Sequence, residues 1–235
     1  MWNPNQAGFN RIRWILISTT VIMMLLTLSV HALHEPIFRS NTEQKVVAIT
    51  FDDGPDPTYT PQILQRLQFH QVPATFFMLG SQAERYPAIV REVQQQGHEI
   101  GNHGYHHLQL ENLSKEHIQR EIQRTNQVIQ RITGKPVRYY RPPNGVITHQ
   151  VLQAVEAEGQ LLIFWSVDPK DWSLKRTAEV IAKSVQGKVK PGDIILFHDG
   201  GLNQQALLSA LDSLILDLKA EGYRFVTIPQ LLNNH

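Results

Sequence analysis

The chain has 235 residues, a formal net charge of +1, 42% hydrophobic and 18% charged residues, and no cysteine. Such values describe one folded domain with an appendage. They exclude thiol nucleophiles, disulfides and cysteine-based zinc sites, and they offer no basic footprint for a nucleic-acid partner.

Residues 1–13 form a short tail that ends in Arg11 and Arg13. Residues 14–33 contain no Asp, Glu, Lys or Arg, and about 20 apolar residues span a membrane. Positive charge before the run places the N-terminus in the cytoplasm and the remainder outside. A cleaved signal peptide, with Val30-His31-Ala32 as the cleavage site, is the rival reading. The run is longer than the roughly 7–15 apolar residues of a signal peptide, so a retained membrane anchor is preferred. Either reading makes the protein extracytoplasmic. Residues 34–44 read as a polar linker, and residues 45–235 as the folded domain.

From Lys45 onward, β-type and helical runs alternate. Expected strands are Val46–Phe51, Ala74–Leu79, Glu99–Gly101, Val137–Tyr140, Leu161–Val167, Asp193–Phe197 and Tyr223–Thr227. Expected helices are Pro61–His70, Ala88–Gln96, Ser114–Thr133, Thr148–Gly159, Thr177–Val185 and Asn203–Glu221. Gly97 stops the second of these, and Ser114 is an N-cap candidate for the third. Leu207, Leu208, Leu211, Leu214, Ile215 and Leu218 draw one apolar stripe on the last. Repeated βα units predict a parallel sheet, doubly wound or closed as a barrel.

Ionisable residues collect where strands end. Asp52 and Asp53 end the first strand, His103 follows the third, and Arg141, Asp168 and His198 end later ones. Chemistry is built on that face in barrel enzymes. Neighbouring residues on an extended segment point opposite ways, so Asp52 and Asp53 are expected to have different jobs. His103 and His107 are four apart and can converge on a metal with a third ligand such as Asp53; solvated loop histidines are the competing reading. His106 ranks below His107 as a ligand. His98-Glu99 opens like a zinc-protease helix, but His103 lies five residues on instead of four, which excludes that motif.

Taken together, Thr50-Phe51-Asp52-Asp53-Gly54-Pro55, His103-x3-His107, Arg138-Tyr139-Tyr140-Arg141-Pro142-Pro143-Asn144-Gly145, Asp168-Pro169-Lys170-Asp171-Trp172 and Ile195-Leu196-Phe197-His198-Asp199 resemble the ordered motifs of the polysaccharide deacetylases. These are the NodB-homology enzymes of carbohydrate esterase family 4. The resemblance implies an α/β fold, a distorted (β/α) barrel, and metal-dependent removal of N-acetyl groups from a cell-wall glycan or chitin-like polysaccharide. It implies that Asp53, His103 and His107 hold the metal, usually Zn2+, although the same donors suit Co2+, Ni2+ or Fe2+. Water on that metal would be the nucleophile, Asp52 the base and His198 the acid. Arg141 would orient Asp52, and Asp168 would orient His198. Trp172 and Leu196 would line the acetyl pocket, with Pro143 and Asn144 contributing to substrate binding and a backbone N–H near Asn144 meeting the oxyanion. Asp171 is expected to cap a turn, and Asp199 to brace its loop. Two positions depart from the family pattern. Gly104 stands where Ser or Thr often follows the first metal histidine, and Asn144 stands where an aromatic residue is common. A silent glycan-binding module and a deacylase of another acylated amine are the rival functions.

Overall fold

The computed structural model describes residues 35–201 and 203–233. The strands are β1 (Val46–Asp52), β2 (Thr75–Met78), β3 (Glu99–Asn102), β4 (Tyr139–Tyr140), β5 (Leu161–Leu162), β6 (Ile194–His198) and β7 (Arg224–Phe225). The helices are α1 (Tyr59–His70), α2 (Gly80–Arg85), α3 (Pro87–Gln95), α4 (Lys115–Thr133), α5 (His149–Ala157), α6 (Ala178–Val185), α7 (Gln204–Ala220) and α8 (Ile228–Leu232). The short helices α2 and α8 have too few turns to show periodicity and were not expected. The N-terminal run expected to be an anchor lies outside the described residues, as does the tail before it. Among the described residues, no helix is long and apolar enough to cross a membrane.

All strand pairings are parallel, in the order β5-β4-β3-β2-β1-β6 with β7 also on β1. β1 is buried at every position, as a continuous apolar run covered on both faces should be. Its alternation sorts side chains cleanly. Val47, Ile49 and Phe51 join the large cluster under the helices, whereas Val46 and Ala48 join the smaller cluster with Phe77, Ile163 and Ile194. Helix α7 buries the predicted stripe from Leu207 to Leu218. Each Leu→Ala change there should cost about 2–5 kcal/mol. Helix α4 is fixed at both ends. Ser114 accepts a hydrogen bond from the His117 N–H, and Gly134 closes the C-terminus at φ 71°, a conformation glycine adopts without penalty.

The sheet is curled into a half-barrel, and β5 and β6 are its ends. Isolated bridges cross the seam between them: Val167 to Ile195, Ile37 to Ile163 and Arg39 to Asp193. Ile37 donates to the Leu162 carbonyl at 2.9 Å, and Ser40 donates to Gly192 at 2.8 Å. Part of the stretch read as linker, residues 34–44, therefore belongs to the fold, because two sheet edges there need partners for their backbone groups. The expected strand Leu161–Val167 pairs regularly only at Leu161 and Leu162, since its later residues serve the seam.

Candidate active site

The site forms at the C-terminal end of the strands, around a cavity of about 520 Å³. Alternation along β1 places Thr50 and Asp52 on the same face as Val46 and Ala48, toward the sheet's concave side. Arg141, just past β4, reaches this face and is fully buried. Its Nη1 donates to Asp52 Oδ1 at 2.7 Å and to Thr50 Oγ1 at 2.8 Å, and its Nε and Nη2 donate to the Ile163 and Phe164 carbonyls. The guanidinium also lies 4.1 Å from the Phe77 ring centroid. A buried carboxylate needs this kind of partner, since an unpaired one costs several kcal/mol.

Asp53 departs from simple alternation. It is the first residue beyond β1 and sits at φ 74°, so a left-handed turn, not a pleat, sets its direction. Both aspartates consequently approach His103, whose Nε2 is 3.4 Å from Asp53 Oδ1 and 3.8 Å from Asp52 Oδ2. His107 Nε2 is 3.3 Å from the same Asp53 oxygen. Asp53 Oδ1 is buried and makes no hydrogen bond, and one donor atom from each of Asp53, His103 and His107 lies within 4.8 Å of the others. An orphaned carboxylate oxygen between two imidazole nitrogens suits a divalent cation, and three N/O donors with an open side match catalytic zinc sites. The other ring nitrogen of His103, Nδ1, pairs with the Arg141 carbonyl at 2.7 Å, the support that orients a ligand histidine. His106 pairs instead with Glu121 at 2.9 Å and is not in the trio.

The charges are strongly coupled. Burial raises the Asp53 pKa, but the imidazoles of His103, His198 and His107 outweigh it and bring it to about 2. Burial lowers the His103 pKa, and Asp52 and Asp53 more than reverse that. His107 is lowered by burial, with Asp53 opposing incompletely.

His198, the last residue of β6, is held by Asp171. Its Nδ1 is 2.9 Å from Asp171 Oδ1, and its backbone N–H donates to Asp171 Oδ2 at 2.8 Å. Burial lowers the His198 pKa, but Asp171, helped by Asp52 and Asp53, raises it to about 9. The expected partner, Asp168, accepts from the Lys170 N–H at 2.8 Å and lines the cavity. The irregular turn through Lys170, at φ 58°, carries the chain back so that the later carboxylate reaches the histidine. Asp171 is thus the residue that the expectation for Asp168 missed. Trp172, next to it, is half-exposed at the cavity with Leu196 and Asn144. Pro143, expected to meet substrate, is buried against Gly104, and Pro142 lines the cavity in its place. Trp165, which sequence reading passed over, forms another wall; it packs so closely on Gly145 that a Cβ there would lie 2.7 Å from its ring. Asp199 accepts from the Thr60 hydroxyl, and burial pushes its pKa to about 7. A side chain at Gly54 would collide with this carboxyl.

A parallel half-barrel with a buried Asp-Arg pair, an Asp-His-His trio and an Asp-paired histidine around one cavity defines a class. The polysaccharide deacetylase family matches residues 39–161, and the chain belongs to that family, carbohydrate esterase family 4. Among its relatives, a peptidoglycan-N-acetylglucosamine deacetylase of Bacillus cereus is 41% identical over 191 residues, 80% of this chain and 89% of the relative. A chitooligosaccharide deacetylase of Sinorhizobium fredii is 36% identical, covering 82% and 94% of the two chains. The crystal structure of a peptidoglycan N-acetylglucosamine deacetylase bound to a naphthyl N-hydroxybenzamide matches with a TM-score of 0.82 at 36% identity, covering 88% and 96%.

Proposed function

We propose that this chain is a divalent-metal-dependent N-deacetylase of amino sugars in a cell-wall glycan, with Asp53, His103 and His107 as the ligands and zinc as the metal. The observation that carries the reading is the unpartnered Asp53 oxygen facing two imidazoles, beside Asp52 and His198 on one cavity. The N-hydroxybenzamide on the similar structure adds support, because such groups chelate divalent metals. Once bound, the ion would acidify water toward a pKa near ~7 and polarise the acetyl carbonyl.

The protein's own groups then divide the proton work. Arg141 and Thr50 hold one oxygen of Asp52, and its Oδ2 points the base toward His103 and the cavity. Asp171 occupies His198 Nδ1, so Nε2 is the nitrogen that donates to the departing amine. A raised pKa keeps that proton in place at neutral pH. Asn144, on the rim, supplies the backbone N–H for the oxyanion. The half-exposed ring of Trp172 offers a face to a sugar.

Peptidoglycan is the preferred polymer, from the peptidoglycan deacetylases among the relatives; chitooligosaccharide is the alternative. A wall substrate agrees with export on a membrane anchor, read from residues 14–33. The direct test is acetate release from peptidoglycan and from chitooligosaccharides with zinc present. Release from neither, or equal release by Asp52→Asn, rejects the deacetylase assignment. Activity surviving His103→Ala and His107→Ala rejects the metal assignment. Localisation is checked by fractionating cells and probing the membrane for the full-length chain.

A further inference from the structure

We propose that Glu121 of helix α4 is a positioning residue for the metal ligand His107, acting through the backbone of residues 104–106. The inference rests on the metal reading above. Between the two ligand histidines, the chain takes the left-handed region twice, at Gly104 (φ 80°) and at His107 (φ 56°). Glycine adopts it freely, but a histidine does so only where its surroundings impose it, at a cost of order ~1 kcal/mol. His103 is held separately through the Arg141 carbonyl, so what needs explaining is how His107 is aimed.

The hydrogen bonds of the backbone at residues 104–106 supply the answer. The carbonyls of Gly104 and Tyr105 accept from the N–H groups of Gly80 and Ser81 at 2.9 and 3.1 Å. The Gly104 N–H donates to Asn102 Oδ1 at 2.7 Å, and Asn102 Nδ2 is tied to α4 through the Ile122 carbonyl and Asn126. The two remaining N–H groups, of Tyr105 and His106, both donate to Glu121 Oε2, at 3.2 and 2.9 Å. Glu121 Oε1 meets His106 Nδ1 at 2.9 Å, which turns that imidazole into a strut. Glu121 is itself buried. One carboxylate thus takes three contacts from the two residues immediately before His107. Bonds to a carboxylate are the strong kind, and this one replaces backbone partners that a five-residue loop cannot find for itself.

The test uses the full chain, stripped with a chelator and titrated with zinc against a chromophoric competitor, alongside thermal melts. Glu121→Ala is expected to weaken zinc binding about 10–100-fold, as loss of the groups that orient a ligand does. Glu121→Asp, one methylene short, should fall in the same direction by at least about threefold. Glu121→Gln, whose amide oxygen can still accept both N–H groups, should stay within about threefold of wild type. A purely structural role would lower the melting temperature of all three without this ordering in affinity. The proposal is overturned if folded Ala or Asp variants bind zinc like wild type, or if Gln loses as much as Ala. Wild-type protein that binds no zinc overturns the metal reading together with this one, whereas tight wild-type binding with unaffected variants overturns this one alone.

Discussion

His98 and His103 flank the same four-residue strand, and both are buried, yet their environments drive them in opposite directions. At the N-terminal end of β3, His98 Nδ1 accepts from the Ala74 N–H at 3.1 Å, and its Nε2 has no partner. Burial alone lowers its pKa to about 4. At the C-terminal end, His103 suffers the same desolvation, but two carboxylates raise its pKa and a backbone carbonyl orients its ring. Burial makes an imidazole neutral; what surrounds it decides whether it becomes packing or chemistry.

The largest way to break this contrast is to remove the acid that serves the functional end. Asp52→Asn should cut kcat/KM for acetate release by about 10²–10⁴-fold. The same substitution at a position serving His98 has no counterpart, because no carboxylate touches that ring among the described residues. A steady-state comparison at fixed zinc checks it, with a melting curve showing that the variant is folded.

The second test concerns the sign of pH effects. The folded pKa of His98 lies below the unfolded value of 6.5, so between pH 6.5 and 4 the unfolded chain binds more protons. Stability contributed by His98 is present above 6.5 and lost as pH falls through that window, by up to about 3 kcal/mol. Urea unfolding against pH should show this loss, and His98→Gln should flatten it. His103 in the metal-free protein has the opposite sign: its contribution is present below 6.5 and lost as pH rises past its raised pKa. A His98→Gln curve parallel to wild type would remove the contrast.

Next comes the pair at His198. Asp171→Asn should reduce kcat about 10–100-fold and move the basic limb of the pH profile down from about 9, because the neutral amide no longer favours the imidazolium. Asp168→Asn should change kcat less than about threefold and leave the limb in place. Reversal of those two results would restore the pairing of His198 with Asp168 that the family resemblance implied. Smallest is Ser114→Ala, which should cost about 1 kcal/mol through the lost N-cap. It should leave zinc affinity unchanged, which separates α4 as a stable helix from α4 as the carrier of Glu121.

Several parts of the site were legible because their signals are local. Asp52 and Asp53 follow a continuous apolar strand, and His103 and His107 stand four apart at the end of another, so a short window contains both residue type and spacing. The alternating strands and helices were readable for the same reason, down to the N-cap at Ser114. The failures have a common cause as well. Asp168 and Asp171 are both acids near one strand end, and only the turn through Lys170 selects between them. Pro142 and Pro143 are adjacent, identical in chemistry and both buried, and only the packing decides that Pro143 lies against Gly104 while Pro142 lines the cavity. The reason Asp52 and Asp53 diverge was misread too, since a positive φ at Asp53 leaves no mark on hydrophobic pattern.

By itself the sequence determined the parallel α/β class and the four-residue spacing of His103 and His107, because periodicity and short spacings are properties of contiguous residues; Asp53 was assigned to the trio only through the family resemblance. Tertiary structure alone decided that Asp171 holds His198, that Ile37–Ser40 fills the seam of the sheet, and that Glu121 grips the loop before His107. Each of those joins segments far apart in the chain, and the match depends on distances of a few ångströms that folding sets and no local pattern encodes.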